Sequence, residues 1–103
     1  MIQKSKYLEI STFYVEVGRE KEFLSLWQDG ICKLTEKMGG HNVSIYFRQE
    51  TNDYLFTSHW PSLDVYLKYF NSPALKEWIE KINDICMKPT TYESYKIIEE
   101  RVA

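Results

Sequence analysis

The sequence contains little cysteine, proline or glycine: two Cys, three Pro and four Gly in 103 residues. Cys32 and Cys86 are far apart and each lies among apolar residues, so the sequence predicts neither a disulfide framework nor a CxxC metal or redox site. We interpret both as buried free thiols. No repeat, low-complexity segment or linker is visible, and the length is that of one ordinary domain. We therefore expect a single domain over residues 1–103.

Long apolar runs and an excess of either charge are also missing. No stretch reaches the ~20 apolar residues of a membrane span, and no signal-peptide pattern follows Met1. Thirteen basic and fifteen acidic residues give a net charge of -2, which supplies no basic surface for a nucleic acid. No Walker loop, Rossmann glycine pattern, zinc-ligand spacing or nucleophile elbow occurs. These absences predict a cytoplasmic protein that binds no nucleic acid, membrane, metal or nucleotide cofactor.

Aromatic residues, by contrast, are abundant at 16% of the chain. Rings in that number fill a core, line a cavity or cover an interface. The hydrophobic pattern predicts four strands over residues 7–17, 42–50, 54–60 and 91–99. It also predicts a helix over 23–38, a short helix over 62–70, and a longer one that starts at Ser72-Pro73 and is terminated by Pro89. Gly30 within the first helix indicates a close packing contact or a bend.

This order of elements is typical of the ferredoxin-like α+β plan, βαββαβ, a four-stranded antiparallel sheet with helices on one face. Period-two alternation nevertheless puts large apolar residues on both faces of strands one, three and four. Soluble monomers rarely expose a patch of that size, so we expect a homodimer whose sheets pack face to face as a dimeric α+β barrel. Within each strand the opposed residues are Leu8, Ile10 and Tyr14 against Phe13, Val15 and Val17 in strand one, Tyr54, Phe56 and Trp60 against Leu55 in strand three, and Tyr95 and Ile97 against Tyr92 and Ile98 in strand four.

The order of elements and the string HWPSLDVYLKYFNSP resemble a known family, and the resemblance covers nearly the whole chain. Its strand-end Trp60, the aromatics Tyr66 and Tyr69 six and nine positions later, and Ser72-Pro73 resemble the antibiotic-biosynthesis-monooxygenase-like family of dimeric α+β barrels. Some members of that family use neither flavin nor metal, and dioxygen oxidises an electron-rich phenolic substrate directly. The resemblance therefore implies an oxygenase that needs no cofactor.

One branch of that family degrades haem and uses an Asn on strand one, a Trp on the helix after strand three and a His about ten residues later. This sequence departs from the pattern at all three places, where it has Ser11, Tyr69 and Ile79. Without an imidazole on that helix, the resemblance implies no axial ligand for haem iron. We expect no haem degradation.

Aromatic residues of the first helix, the end of strand three and the following helices are the candidate substrate-binding residues. Tyr66 and Tyr69 are predicted to line a cavity, because a buried phenol needs a polar partner and can offer its hydrogen bond to a ligand. Trp27 and Trp78 lie on regular apolar stripes, so their alternative role is to fill the core. The candidates are Trp27, Trp60, Tyr66, Tyr69, Phe70 and Trp78.

Two polar residues are further candidates. His59 has an ordinary pKa near neutrality, which suits a general base. Strand alternation puts it on the face opposite Trp60, so a surface or interface histidine is the alternative. Arg48 suits an anionic substrate, with a salt bridge to Glu50 or a cross-strand carboxylate as its alternative.

Two main functions are consistent with these features. The first is a cofactor-independent monooxygenase acting on a small phenolic or quinol-like aromatic, and the second is a non-catalytic protein that holds a small apolar ligand. Haem binding with unusual ligation is a third. An interior filled by Trp27, Trp60 and Trp78 would argue against both ligand hypotheses.

Overall fold

A computed structural model describes residues 5–101 of the chain. Four strands form one antiparallel sheet in the order β2-β3-β1-β4, so that β1 and β3 are central and β2 and β4 are edges. This sheet, with the helices packed on one face, confirms the predicted ferredoxin-like α+β fold. The strands are β1 (Tyr7–Val15), β2 (His41–Arg48), β3 (Asp53–Trp60) and β4 (Cys86–Lys96).

The first helical segment, over residues 20–37, has three consecutive parts: α1 (Glu20–Leu26), a π-helical stretch (Trp27–Cys32) and α2 (Lys33–Lys37). A Cβ atom added at Gly30 would lie 2.3 Å from the ring of Trp78, so only glycine lets that indole pack on the helix. The predicted close contact at this glycine is therefore present, and it coincides with the π-helical stretch.

Two further helices follow β3: α3 (Leu63–Phe70) and α4 (Pro73–Asn83). Each begins at a serine whose hydroxyl accepts a backbone N–H of the first turn, Ser62 from Val65 and Ser72 from Leu75. None of the helices in the described part of the chain is long and apolar enough to cross a membrane.

The prediction for the last helix and strand was wrong at their junction. Helix α4 ends at Asn83 rather than at Pro89, and β4 already begins at Cys86. Pro89 lies inside β4 at a register shift, between the pairs Tyr14–Lys88 and Thr12–Thr91. A proline is tolerated there because an edge strand with a bulge needs no ladder hydrogen bond from that position.

The core lies between the helices and one sheet face. On β1, alternate residues point into it, so Glu9, Ser11, Phe13 and Val15 are all buried. The strand ends at Val15, and Val17, which the alternation assigned to this face, is 78% exposed beyond it. The apolar core consists of Phe13, Val15, Phe23, Ile31, Phe56, Trp60, Tyr66, Tyr69, Leu75, Ile82 and Ile85.

The other sheet face carries no helix, and we call it the bare face. Leu8, Ile10 and Leu55 are half-buried there, while Tyr46 and Tyr95 are 55% and 48% exposed. The two cysteines are free and only partly buried, so the prediction that both are buried was wrong.

Candidate functional site

A carboxyl group lies inside the protein on β1. Glu9 is 2% exposed and faces the helices, and the hydroxyl of Ser11 donates a hydrogen bond to its Oε1 at 2.5 Å. Burial raises the pKa of Glu9 from its ordinary 4.5 to about 7, although the bond from Ser11 acts in the opposite direction. A carboxyl with this pKa is partly ionised at neutral pH and can both take up and release a proton.

Glu9 borders a narrow space between the sheet and α3 and α4, which we call the crevice. In this conformation the crevice is too narrow to hold a water molecule. Its walls are otherwise almost entirely apolar or aromatic, as in sites that bind flat organic molecules. The crevice is lined by Glu9, Ser11, Phe13, Ile31, Phe56, Tyr69, Phe70, Leu75, Ile79 and Tyr92.

The charge of this carboxyl acts on three phenols. Burial raises the pKa values of Tyr66, Tyr69 and Tyr92, and the negative charge of Glu9 raises them further. For Tyr92 the resulting pKa is about 12. All three side chains are therefore neutral at physiological pH and able to donate hydrogen bonds.

Outside the crevice, a groove of about 340 Å³ opens to solvent between α4 and β4. Four residues line both spaces: Phe70, Leu75, Ile79 and Tyr92. The rings of Phe70 and Tyr92 meet edge to face, with centroids 5.2 Å apart and an interplanar angle of 87°. The groove and the crevice are thus adjacent, with these four residues between them.

Among the predicted substrate-binding residues, Tyr69 and Phe70 line the crevice. The hydroxyl of Tyr69 lies 3.0 Å from Oγ1 of Thr35, which itself donates to the carbonyl of Ile31 at 2.7 Å. Because the Thr35 hydroxyl has one proton, Tyr69 is the donor to it. Its hydrogen bond is therefore used within the protein. Tyr66 is 6% exposed and packs on Phe70, with ring centroids 5.7 Å apart.

Trp60 belongs to the core, Trp27 and Trp78 are half-buried against it, and none of the three lines the crevice or the groove. This packing favours the alternative role of Trp27 and Trp78 in filling the core, and it argues against a ligand cavity between the three tryptophans. Trp60 is fully buried, and its Nε1 donates to Oγ of Ser58 at 2.9 Å. The ring of Trp27 meets Phe56 edge-on, and its buried Nε1 has no hydrogen-bond partner among residues 5–101. Trp78 covers Gly30.

His59 and Arg48 lie on the other side of the sheet. Nδ1 of His59 is 3.2 Å from Oε2 of Glu100 and 3.1 Å from Oγ of Ser5. Arg48 forms a bidentate salt bridge across the hairpin to Asp53. Its Nε donates to Oδ1 at 2.9 Å and its Nη2 to Oδ2 at 2.8 Å. Neither residue lines the crevice. The catalytic role of His59 and the substrate-binding role of Arg48 stay predictions.

The three positions that differ from the haem-degrading pattern, Ser11, Tyr69 and Ile79, all line the crevice. Both histidines of the chain pair across the bare face, His41 opposite His59. Within residues 5–101, no three or more His, Cys, Asp or Glu side chains are grouped so as to hold a metal ion.

Glu9 was missed by sequence reasoning, although a signal for it existed. In the string YLEISTFYV, Glu9 has the same parity as Phe13 and Val15, so period-two alternation places it on the helical face. A carboxyl at a core position of a strand is rare unless it is paired or functional.

Comparison with known proteins agrees with this architecture. The solved structures that share the fold include a monooxygenase from the gene ActVA-Orf6 of Streptomyces coelicolor in complex with nanaomycin D, and SnoaB, a cofactor-independent oxygenase from Streptomyces nogalater. The first has a TM-score of 0.79 and 14% identity and covers 96% of this chain and 93% of its own. The second has a TM-score of 0.77 and 12% identity and covers 94% and 97%.

Sequence comparison identifies the family. An uncharacterised protein of Synechocystis is 30% identical over 86 residues, which are 82% of this chain. The match spans 58% of the length of that relative. The family model described as antibiotic biosynthesis monooxygenase matches residues 7–81. The chain therefore belongs to the antibiotic biosynthesis monooxygenase family.

Proposed function

We propose that this protein is a cofactor-independent monooxygenase that acts on a small phenolic or quinol-like aromatic, with Glu9 as the general base. The observation that carries this proposal is a buried carboxyl with a pKa of about 7 on the wall of an aromatic crevice. Such a group accepts a proton at neutral pH in a place that water does not enter.

The reaction begins when Glu9 takes the proton of the substrate hydroxyl. The resulting phenolate is electron-rich at its ring carbons, and one of these bonds to dioxygen. The proton held by Glu9 then moves to the outer oxygen, giving a hydroperoxide, and loss of water leaves a carbonyl. Overall, phenol and dioxygen give quinone and water, so that the substrate loses the four electrons that dioxygen gains.

The rest of the crevice suits this chemistry. Phe56, Phe70 and Tyr92 present ring surfaces to a flat substrate, and the apolar walls keep water from the phenolate and the hydroperoxide. The structural neighbours support the reaction class, because SnoaB is a cofactor-independent oxygenase and the protein from Streptomyces coelicolor, crystallised with nanaomycin D, is a monooxygenase.

The test uses 1-naphthol as a probe, with the protein in a buffer containing a metal chelator and ¹⁸O₂. We expect 1,4-naphthoquinone with one ¹⁸O atom, one labelled water and one dioxygen consumed for each quinone. Binding of 1-naphthol without turnover would contradict the monooxygenase and favour the alternative, a non-catalytic ligand-binding protein. Heat-denatured protein measures the spontaneous oxidation.

We further propose that the protein acts as a homodimer in the cytoplasm, with the bare face as the interface. Leu8, Ile10 and Leu55 form an apolar centre there, and the rings of Tyr46 and Tyr95 stand beside it. Apolar centres with aromatic residues are typical of protein interfaces. The free thiols are in keeping with a reducing compartment.

Tyr46→Glu tests the interface, because this side chain is 55% exposed in the single chain and its replacement leaves the core intact. A carboxylate buried without a partner costs several kcal/mol, so we expect the dimer to weaken by about a hundredfold or more. Sedimentation velocity at micromolar concentration should show dimers for the unmodified protein and monomers for the variant. Val17→Glu, a similar change outside the sheet, should stay dimeric. A monomeric unmodified protein would contradict the proposal.

A further inference from the structure

The four residues that line both the groove and the crevice form a partition between them. Leu75 and Ile79 belong to α4 and are more buried than Tyr92, since Leu75 is 5% exposed and Ile79 is half-buried. Phe70 is the last residue of α3, and Tyr92 lies on the edge strand β4 with 38% of its surface exposed. Tyr92 is therefore the member of the partition with the most room to move.

The register of the sheet places Tyr92 beside the buried carboxyl. Tyr92 pairs with Ser11, the residue whose hydroxyl donates to Glu9. Its ring stands against Phe70 on the same sheet face. Tyr92 lines both spaces, so its ring is one of the side chains that lie between the groove and the crevice.

From this arrangement we infer that Tyr92, with Phe70, is a gate that determines by size which molecules pass from the groove to Glu9. Nothing of molecular size fits in the crevice as it stands, so every ligand depends on displacement of a side chain. The ring rather than the hydroxyl of Tyr92 closes the passage, because it is the ring that meets Phe70. The inference rests on the proposed function only in taking Glu9 as the destination.

The gate is tested by the chemical accessibility of residue 11. Ser11→Cys is made in a chain that also carries Cys32→Ser and Cys86→Ser, and its labelling by methyl and by benzyl methanethiosulfonate is timed by mass spectrometry. Adding Tyr92→Ala should speed methyl labelling about tenfold or more and reduce the preference for the smaller reagent. Phe70→Ala should act in the same direction.

Two controls distinguish opening of the gate from a general destabilisation of the fold. Tyr92→Phe keeps the ring and should label at the parent rate. Phe47→Ala removes a half-exposed ring of the other edge strand, β2, that lines neither space, and it should also have no effect. Labelling through a local gate should be insensitive to low urea, whereas labelling through global unfolding should rise with it. A Tyr92→Ala rate within twofold of the Phe47→Ala rate would overturn the gate. That result would leave the labelled-oxygen experiment unaffected, because thiol labelling needs no turnover.

Discussion

Replacing Glu9 with Gln is expected to lower the rate of oxygenation by about 10²–10⁴-fold, the usual contribution of a positioned general base. Gln keeps the shape of the side chain but cannot accept the substrate proton. In the unmodified protein the rate should rise with pH through about 7, since the carboxylate is the active form and burial raises its pKa to that value. The variant should lose this rise along with its activity.

Glu77→Gln is the matched control, because it removes one carboxylate from the exposed side of α4 and should leave the rate unchanged. Steady-state rates from pH 5 to 9 with 1-naphthol make the comparison. If Glu9→Gln retains more than a tenth of the activity, or if its pH profile matches that of the unmodified protein, Glu9 is not the base.

The second large effect is that of Glu9 on the pH dependence of protein stability. The pKa of Glu9 is raised from 4.5 in the unfolded chain to about 7 in the fold, so the folded state favours the protonated carboxyl. Its contribution to stability is therefore fully present below pH 4.5 and is lost as pH rises toward and through 7. Linkage converts this difference to roughly 3 kcal/mol between pH 4 and pH 8.

Urea unfolding of the unmodified protein and of Glu9→Gln at both pH values measures this loss. The free energy of unfolding of the variant minus that of the unmodified protein should be larger at pH 8 than at pH 4 by roughly 3 kcal/mol, so the variant is relatively more stable at pH 8. Any constant cost of burying the amide cancels in this difference. A relative stability that does not change with pH would mean that the carboxyl is not desolvated in the fold.

In this account Glu9 serves the reaction and at the same time lowers the stability of the fold. A carboxyl that must ionise among Phe56, Phe70 and Tyr92 weakens the fold at the pH where it works as a base. Stability and activity commonly oppose each other at active sites for this reason.

The sequence predicted the order of elements and the presence of apolar residues on both faces of the strands, because each depends on the local period of apolar residues. It failed at Pro89, since whether a proline ends a helix or sits at a bulge of an edge strand is decided by tertiary pairing with β1. Sequence reasoning also proposed His59 as the general base because of its chemical type. Strand alternation had already placed His59 on the face opposite Trp60.

The candidate site was predictable only in part. Tyr69 and Phe70 were found from the string after Trp60, and both line the crevice. Tyr92 and Glu9 come from the two strands β4 and β1, and nothing local in the sequence shows that these strands are neighbours in the sheet. A carboxyl such as Glu9 also acquires its raised pKa from burial, which is a property of the whole fold.

The titration of Glu9 itself tests the account most directly. Carboxyl resonances of the protein labelled with ¹³C-glutamate can be followed from pH 3 to pH 10, with Glu9 assigned by its absence in Glu9→Gln. We predict a midpoint at about pH 7 for this one resonance, and a shift of that midpoint when 1-naphthol is bound. A midpoint near the ordinary 4.5, unchanged by the phenol, would contradict a buried base at the crevice.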